Sequence, residues 1–234
     1  ESPPWVQKTN LFLTRGAGWL YSNLAFPPLP AGLAGAAGQH YERLLHDTVT
    51  GPLAMPDTTF TPTAAQKQRL MQSYGFDGTP LPDVPTGKVI VGSGGLYSTA
   101  NDMLRWLRWH LDRFSAKDAE LRLLDHAVYL QRDGLTTVSG MDESGHMDAL
   151  GLAWVVMMPE GDRPLILQKA GGLQGFLCYI AFAPTRGVGV FAAISQFDFN
   201  AAVLMGETVN ELIAELAPRG PGAPEASAQA VSSR

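Results

Sequence analysis

The chain has 234 residues, of which 45% are hydrophobic and 17% charged, and its formal net charge is -5. A chain of this size and composition can bury one hydrophobic core, so we expect a single globular unit. The sequence has no basic run and no basic stripe with interleaved aromatic residues, which argues against nucleic-acid binding. Its longest apolar stretches are shorter than the roughly 20 residues that a membrane-spanning helix needs. The expected partner is therefore a small molecule or a peptide.

The cysteine and histidine content limits the chemistry further. Cys178 is the only cysteine, so the chain can form neither an internal disulfide nor a cysteine-based metal cluster. The five histidines form no H-E-x-x-H pair, and His146 and Asp148, which could together reach one ion, lie in a polar loop. We expect no metal and no other cofactor. The opening residues, ESPPWVQKTN, show neither an initiator methionine nor a hydrophobic leader, so they do not indicate a compartment.

The first half of the chain is predicted to contain loops and helices. Residues 1–30 are rich in Pro and Gly and are predicted to form loops. Residues 75–97 also contain too many Pro and Gly for regular structure, and an ordered loop of this length is often functional. Apolar residues at helical spacing predict helices over 32–46, from Ser98 or Thr99 to about 113, and around 117–131.

The second half of the chain changes character and predicts an antiparallel meander. Its four strand-like segments, rich in Val, Ile, Phe and Tyr, are LGLAWVVMM, PLILQKAGG, GFLCYIAFAP and GVGVFAAIS, and turn residues separate them. Asn200 is predicted to cap a last helix that ends near Leu216. Residues 217–234 are too poor in apolar side chains to fold. We therefore expect one domain over 1–216, with a helical region at about 32–131 and a sheet region at about 151–216.

A lysine and two glycines interrupt the second of these strands. A buried lysine costs free energy unless it is paired, and glycine weakens a strand unless something must approach the backbone. Lys169 could hold positive charge beside a reacting centre, while Gly171 and Gly172 could let a substrate lie along the strand edge, with one N–H facing an oxyanion. Alternatively, GGLQG is only a hairpin turn that follows an exposed lysine.

A second cluster, Tyr21-Ser22-Asn23, lies within GAGWLYSNLAF. A phenol close to a lysine has its anionic form stabilised, so Tyr21 could serve as a general base. Asn23 could hydrogen-bond an amide substrate. Alternatively, Tyr21 only packs its ring in a loop.

The order of the motifs identifies a family resemblance. A Y-x-N follows GAGW, then come GPLAMPDTTF and GSGGLYSTANDMLRWL, and last K-A-G-G between strands. In this order and wording the chain resembles the serine β-lactamase and penicillin-binding-protein superfamily, and above all its branch of class C β-lactamases, DD-carboxypeptidases/endopeptidases and esterases. The resemblance extends from about Gly16 to Leu216.

The resemblance implies an α/β (α+β) fold, in which helices flank an antiparallel sheet, and a mechanism through an acyl-enzyme. In the family, the serine of S-x-x-K attacks an amide or ester carbonyl, while the tyrosine of Y-x-N and the S-x-x-K lysine transfer protons. On this chain, the resemblance assigns proton transfer to Tyr21 and substrate positioning to Asn23. It assigns electrostatic support of Tyr21 to Lys169, and oxyanion stabilisation to the N–H of Gly172.

The resemblance also defines the surroundings of the cleft. Ala170 and Gly171 complete the strand motif that binds substrate, and Ser93 and Gly94 would form a wall. Where the family often has K-T-G, this chain has K-A-G, so Ala170 lacks the hydroxyl that would bond a substrate carboxylate. This difference disfavours efficient recognition of β-lactams or of free D-Ala-D-Ala ends, and it mildly favours an esterase.

A larger departure concerns the nucleophile. No serine in the chain is followed by a lysine three positions later. In the family, S-x-x-K lies on a helix before Y-x-N, together with the first strands of the sheet. We therefore expect the chain to be the C-terminal portion of a longer protein, without its N-terminal strands and nucleophile helix. The strand GVGVFAAIS would then have a free edge, which a dimer, a domain swap or a complementing N-terminal segment could cover.

Three functional hypotheses follow from the sequence. The chain is part of a serine hydrolase that acts on D-amino-acid peptides or β-lactams, or it is part of an esterase or amidase with the same site, or it is an inactive remnant or binding module that keeps the cleft. The resemblance also implies a periplasmic or secreted location.

Overall fold

The computed structural model of the protein describes residues 18–84 and 91–218. The predicted loops at 1–17, part of the turn-dense segment and nearly all of the predicted disordered tail lie outside the described residues. The helices are α1 Pro28–Ala37, α2 Tyr41–Leu45, α3 Ala64–Lys67, α4 Ala100–Leu111, α5 Ala119–His126 and α6 Phe199–Leu216. The strands are β1 Gly18–Leu20, β2 Leu130–Gln131, β3 Thr137–Ser139, β4 Ala149–Leu150, β5 Val155–Met157, β6 Ile166–Leu173, β7 Phe176–Ala183 and β8 Val188–Ile194. None of the helices within the described ranges is long and apolar enough to cross a membrane.

The main sheet confirms the predicted antiparallel architecture with flanking helices. Its strand order is β2-β4-β5-β6-β7-β8, and every pair is antiparallel. The predicted strand LGLAWVVMM is in fact two short strands, β4 and β5, because the chain turns between them at Ala153, whose φ is +66°. Strands β1 and β3, which the sequence analysis did not predict, form a separate parallel pair.

The β6–β7 hairpin fixes the register of the strand that carries Lys169. Its two turn residues, Gln174 and Gly175, have φ values of +50° and +83°. Positive φ at both central positions is typical of the type I′ turn, whose twist matches that of the flanking strands. The turn pairs Leu173 with Phe176, and the ladder continues back to Leu167 opposite Phe182. A shift by one residue would move every side chain of β6 to the opposite face.

The core lies on both faces of the sheet. On one face, Leu167, Ile180 and Phe182 pack with Leu107 of α4. On the other face, buried residues of β5, β6 and β7 pack with Val209 and Ile213 of α6. Because side chains alternate along a strand, Lys169 lies on the α4 side of β6 and Ala170 on the α6 side.

The helix boundaries differ from the predictions where a local cap decides them. The predicted helix 32–46 is two helices, because Gly38 ends α1 in the left-handed conformation with φ +65°. The last helix is capped by Asp198, whose carboxylate accepts hydrogen bonds from the N–H groups of Asn200 and Ala201 at 2.9 and 3.1 Å. The prediction that Asn200 is the cap was therefore wrong. The Thr99 cap of α4 is confirmed, since its hydroxyl accepts from the Asp102 N–H.

An ion pair fixes the loop between β3 and β4. Arg132 donates to both carboxylate oxygens of Asp142, at 2.8 and 3.1 Å, and also to the carbonyl of Met147. The Asp142 carboxylate in turn accepts from the Met147 N–H at 2.8 Å. Both ends of this loop are thereby tied to one guanidinium. The hydrogen bond from Arg132 holds the pKa of Asp142 below its usual value.

We predict that Asp142→Asn destabilises the protein by at most about 1 kcal/mol near neutral pH, because the ion pair is partly exposed. A carboxyl whose pKa is lowered by folding stabilises the folded state above its ordinary pKa and loses this contribution as the pH falls through the lowered value. The difference between the wild type and the variant should therefore vanish in strong acid. Urea unfolding at several pH values measures it, with Asp162→Asn at an exposed turn as the control. A difference that persists unchanged at the lowest pH would contradict this explanation.

Candidate active site

Tyr21 is positioned by the small parallel sheet. It directly follows β1, and its N–H donates to the carbonyl of Ser139 at the end of β3 at 3.1 Å. The residue that follows Ser139, Gly140, has φ +74°, and a Cβ built there would lie 2.9 Å from the Tyr21 Cβ. A side chain at position 140 would therefore displace Tyr21. The loop that the Arg132–Asp142 pair fixes begins at this glycine.

The hydroxyl of Tyr21 lies within the Y-x-N cluster. It donates to Asn23 Oδ1 at 2.8 Å, so the two residues named in the motif contact each other directly. Tyr21 is 38% exposed. Asn23 opens a short 3₁₀ turn that leads into α1.

The structure brings Lys169 and Tyr21 together from distant parts of the sequence. Lys169 Nζ lies 5.3 Å from the centroid of the Tyr21 ring, within the range of a cation–π contact. The same ammonium donates to the carbonyl of the adjacent Ala170 at 2.6 Å. Burial lowers the pKa of Lys169, and interactions with Cys178 and Glu143 partly offset this effect. The ammonium is therefore a partly desolvated charge beside a phenol.

The backbone next to Lys169 is open on one side. Strand β5 pairs with β6 only over Ile166, Leu167 and Gln168, whereas β7 pairs with β6 as far as Leu173. Among the described residues, no strand lies beside the second half of β6 on the β5 side. This half presents the edge to which an extended substrate could add as a further strand.

The hairpin register indicates which backbone groups face the open edge. In an antiparallel ladder, residues alternate between those that bond the partner strand and those that point away from it. Leu173 flanks a two-residue turn and so bonds β7, which directs the N–H and C=O groups of Ala170 and Gly172 to the open side. The residue between them, Gly171, faces β7 opposite Cys178. A Cβ at Gly172 would lie 2.7 Å from Leu177 Cδ2, so a side chain at this position would require Leu177 to move.

The segment after residue 90 lies between the two clusters. Gly92 packs so closely against Phe26 and Pro30 that an added Cβ would lie 2.8 Å from Pro30 Cδ. Gly94 faces the end of β6, since a Cβ there would lie 3.7 Å from Leu173 Cδ2. The exposed Ser93 lies between these contacts. The residues expected to form a wall thus lie between the helix that follows Asn23 and the end of the K-A-G-G strand.

The remaining part of the turn-dense segment covers the β6–β7 hairpin. Gln174 donates from Nε2 to the carbonyl of Val84 at 2.6 Å. Beside it, Gly175 approaches the carbonyl of Tyr74 so closely that an added Cβ would be 2.8 Å away. The sequence predicted a long ordered loop here, but its composition could not show how the loop contacts the β6–β7 hairpin.

Two further polar groups involve the loop between β3 and β4. His146, whose ring is exposed, has Nε2 3.7 Å from an oxygen of Asp148 and Nδ1 3.6 Å from an oxygen of Asp142. The Arg132–Asp142 pair was missed by the sequence analysis, because its two residues are ten positions apart and follow no recognised motif.

Comparisons with known proteins support the family suggested by the motifs. The family model described as Beta-lactamase matches residues 4–215. The chain is 38% identical over 218 residues to the D-alanyl-D-alanine-carboxypeptidase/endopeptidase AmpH of Escherichia coli K12, covering 93% of this chain and 55% of AmpH.

Solved structures give the same picture. The β-lactamase/D-alanine carboxypeptidase of Yersinia pestis, solved with citrate, is 38% identical with a TM-score of 0.78, and the match covers 91% of this chain and 59% of that one. A class C β-lactamase from Rhodobacter sphaeroides shares the fold at 18% identity, with a TM-score of 0.64 and coverage of 82% and 60%.

The chain spans about half the length of the curated relatives it matches, with 55% of AmpH and 52% of a β-lactamase from Pseudomonas fluorescens covered. The family model nevertheless extends over most of the chain, and the Y-x-N and K-A-G-G motifs lie together at one open strand edge. The chain therefore belongs to the β-lactamase family.

Proposed function

We propose that the chain supplies the Tyr21, Lys169 and Gly172 side of the active site of a serine hydrolase that works through an acyl-enzyme. The observation that carries this proposal is the ammonium of Lys169 over the ring of Tyr21, next to the open half of β6. A cation held beside the tyrosine can stabilise negative charge that develops during acyl transfer. A loop tyrosine that merely packs its ring would not need this partner.

The geometry supports the following proposed roles. A substrate lies along the open edge of β6 and bonds the backbone of Ala170 and Gly172, while Asn23 contacts its amide. Tyr21 transfers protons between the nucleophile and the leaving group. The outward-facing N–H of Gly172 donates to the oxyanion of the tetrahedral intermediate. The nucleophilic serine is contributed by protein outside these 234 residues, since no serine here has a lysine three positions later.

The substrate class that we propose is a D-amino-acid peptide or a β-lactam. Its support is the 38% identity to AmpH, whose name describes a D-alanyl-D-alanine carboxypeptidase and endopeptidase. D-amino-acid peptides belong to the cell wall, so a periplasmic or secreted location goes with this proposal.

An esterase or amidase is the second candidate, and Ala170 is the observation that favours it. The side chain of Ala170 lies on the α6 face of β6, packed beside the core cluster of that face. It offers no hydroxyl to a substrate carboxylate. A neutral ester loses nothing at this position, whereas a substrate with a free carboxylate loses a charge-assisted hydrogen bond.

The edge of the sheet suggests how the remaining part of the protein joins this chain. Within the described ranges, β8 pairs with β7 alone, and beyond its end only Tyr74 bridges to Gln196. A long exposed edge is a liability in water. We therefore propose that a complementing N-terminal segment covers β8 in the native protein, in preference to a second copy or a domain swap.

Acylation tests the proposed function. The protein from its native source, incubated with a fluorescent penicillin, should gain one covalent adduct by intact mass. Tyr21→Phe keeps the ring over Lys169 but removes the hydroxyl, so the acylation rate should fall by about 10²–10⁴-fold. Tyr41→Phe is the matched control and should not change the rate. A wild-type protein that forms no adduct with penicillins, and hydrolyses neither peptides nor esters, would leave only the inactive-remnant hypothesis.

Replacement of Ala170 by threonine distinguishes a peptidase or β-lactamase from an esterase or amidase. A hydroxyl restored at this position should raise kcat/KM for a penicillin at least about tenfold, since hydrogen bonds to charged groups contribute about 1.5–3 kcal/mol. It should leave kcat/KM for an uncharged ester unchanged. Ala170→Ser provides the hydroxyl without the extra methyl group and should show the same selectivity. An equal change for both substrates would mean that position 170 does not read a carboxylate.

Hydrogen exchange tests the proposed cover of β8. In the native protein, the alternate amides of β8 that point away from β7 should exchange as slowly as those bonded to β7, because both are then in ladders. Fast exchange confined to the outward amides would show that the edge is open to water. Concentration-dependent protection would indicate a second copy instead of a segment of the same chain.

A further inference from the structure

A group of three ligand-forming side chains lies away from the cleft, where α4 and α5 meet the sheet. His110 is the penultimate residue of α4, while Asp125 and His126 end α5. One atom from each of the three side chains converges on the same point, since all three atoms lie within 4.8 Å of one another. Neither the proposed mechanism nor the β-lactamase motifs use this group.

The spacing of the three atoms matches one face of a tetrahedron around a metal ion. His110 Nδ1 lies 2.9 Å from His126 Nε2 and 3.4 Å from Asp125 Oδ2, and His126 Nε2 lies 3.8 Å from the same oxygen. Zinc bonds of about 2.0–2.1 Å in tetrahedral geometry separate neighbouring ligand atoms by about 3.3 Å. The three observed separations bracket this value. Shifts of a few tenths of an ångström at each side chain would equalise them.

Hydrogen bonds alone do not satisfy the polar atoms of this group. One ring proton can serve the 2.9 Å contact between the two imidazoles, but the separations of 3.4 and 3.8 Å to Asp125 are longer than ordinary hydrogen bonds. His110 is fully buried, and its Nε2 has no hydrogen-bond partner among the residues that the structure describes. Three indole rings, of Trp106, Trp109 and Trp154, stand nearly perpendicular to its ring. A proton on Nε2 leaves Nδ1 unprotonated, so its lone pair can accept a hydrogen bond from His126 or bind a metal ion.

The surroundings supply the support that metal ligands have in proteins. Trp154 Nε1 donates to Asp125 Oδ2 at 2.8 Å, and a hydrogen bond of this kind orients a ligating carboxylate. Burial lowers the pKa of His110 to about 3 and that of His126 to about 4, so both imidazoles are neutral near pH 7. The Arg122 guanidinium also lowers both pKa values. Burial raises the pKa of Asp125, and the hydrogen bond from Trp154 partly offsets this effect.

We propose that His110, Asp125 and His126 form a binding site for a divalent transition-metal ion of the zinc class. The two nitrogens and one oxygen are ligands that Zn²⁺ prefers, and a water molecule would complete the tetrahedron. His110 is the inner ligand at 0% exposure, whereas His126 and Asp125, at 16% and 28%, line the path from the surface. Binding requires only that His126 carry its proton on Nδ1, so no proton leaves the site.

The function of such an ion would be structural. It would join the ends of α4 and α5, and through Asp125 and Trp154 it would tie both helices to the start of β5. Phe182 of β7 packs against both imidazoles, so the ion would also fix the face of the sheet on which Lys169 lies. An effect on acylation would be indirect, through the position of β6.

Cobalt and zinc titrations of the metal-free native protein test the proposal. After dialysis against a chelator, Co²⁺ should bind with one equivalent and give the intense visible absorption of a tetrahedral site. Zn²⁺ should displace it and raise the Tm in proportion to the logarithm of the free zinc concentration. His126→Gln should weaken Co²⁺ binding at least about 100-fold. Asp125→Asn, which keeps an acceptor for Trp154, should do the same.

Two further variants keep the test decisive. His146→Gln alters the exposed histidine between Asp142 and Asp148 and should leave Co²⁺ binding unchanged. His126→Cys replaces one ligand by another and should restore binding with an added thiolate-to-cobalt band. The proposal is overturned if the wild type binds no stoichiometric metal, if His126→Gln binds as well as the wild type, or if His146→Gln abolishes binding.

Discussion

The incomplete pairing of β6 is the constraint on which the candidate site depends. Seven residues of this strand are held by β7, but only its first three have a neighbour in β5. The paired half is buried and carries core side chains, and the unpaired half begins at Lys169. One strand thus serves as a rigid part of the sheet and as an accessible edge. The rigidity matters because a hydrogen-bond donor stabilises an oxyanion only when its position is fixed in advance.

The first two residues of the K-A-G-G motif lie on opposite faces of β6. Lys169 points to the face that packs on α4, where Tyr21 approaches it, and Ala170 points to the face that packs on α6. Consecutive residues can therefore act on opposite sides of a substrate that lies along the edge. The type I′ turn at Gln174 and Gly175 sets this arrangement, since the turn fixes the register and the register decides which face each residue occupies.

Much of the fold could be predicted from the sequence, because its strands and its clearest helix carry strong periodic patterns. The meander from β5 to β8, the Thr99 cap and the antiparallel sheet followed from β-rich runs, turn residues and a capping motif. The division of 32–46 into two helices was missed, since Gly38 was read as a residue within a helix. The cap of the last helix was predicted at Asn200, two residues after Asp198, because Asp and Asn are nearly equivalent as caps.

The candidate site could be proposed from the order and the residues of its motifs, but the sequence could not give the distances between them. Tyr21 and Lys169 are separated by most of the chain, and only the family resemblance placed them together before their contact was seen. The parallel pairing of β1 and β3 was missed because strands of three residues are too short to show a periodic pattern. The site formed by the histidines of α4 and α5 was missed because His110 and His126 are 16 positions apart and follow no recognised metal-binding motif.

The contact between the Lys169 ammonium and the Ala170 carbonyl has a consequence for how substrates are recognised. The cation and the outward carbonyl satisfy each other, so neither lacks a hydrogen-bond partner. A ligand that pairs with β6 exchanges this internal bond for an external one, and the exchange contributes little net affinity. Under the proposed function, selectivity would then come from groups that have no internal partner to give up, and from charge that develops during the reaction. Such a site would discriminate among substrates more by their reaction than by their binding affinity.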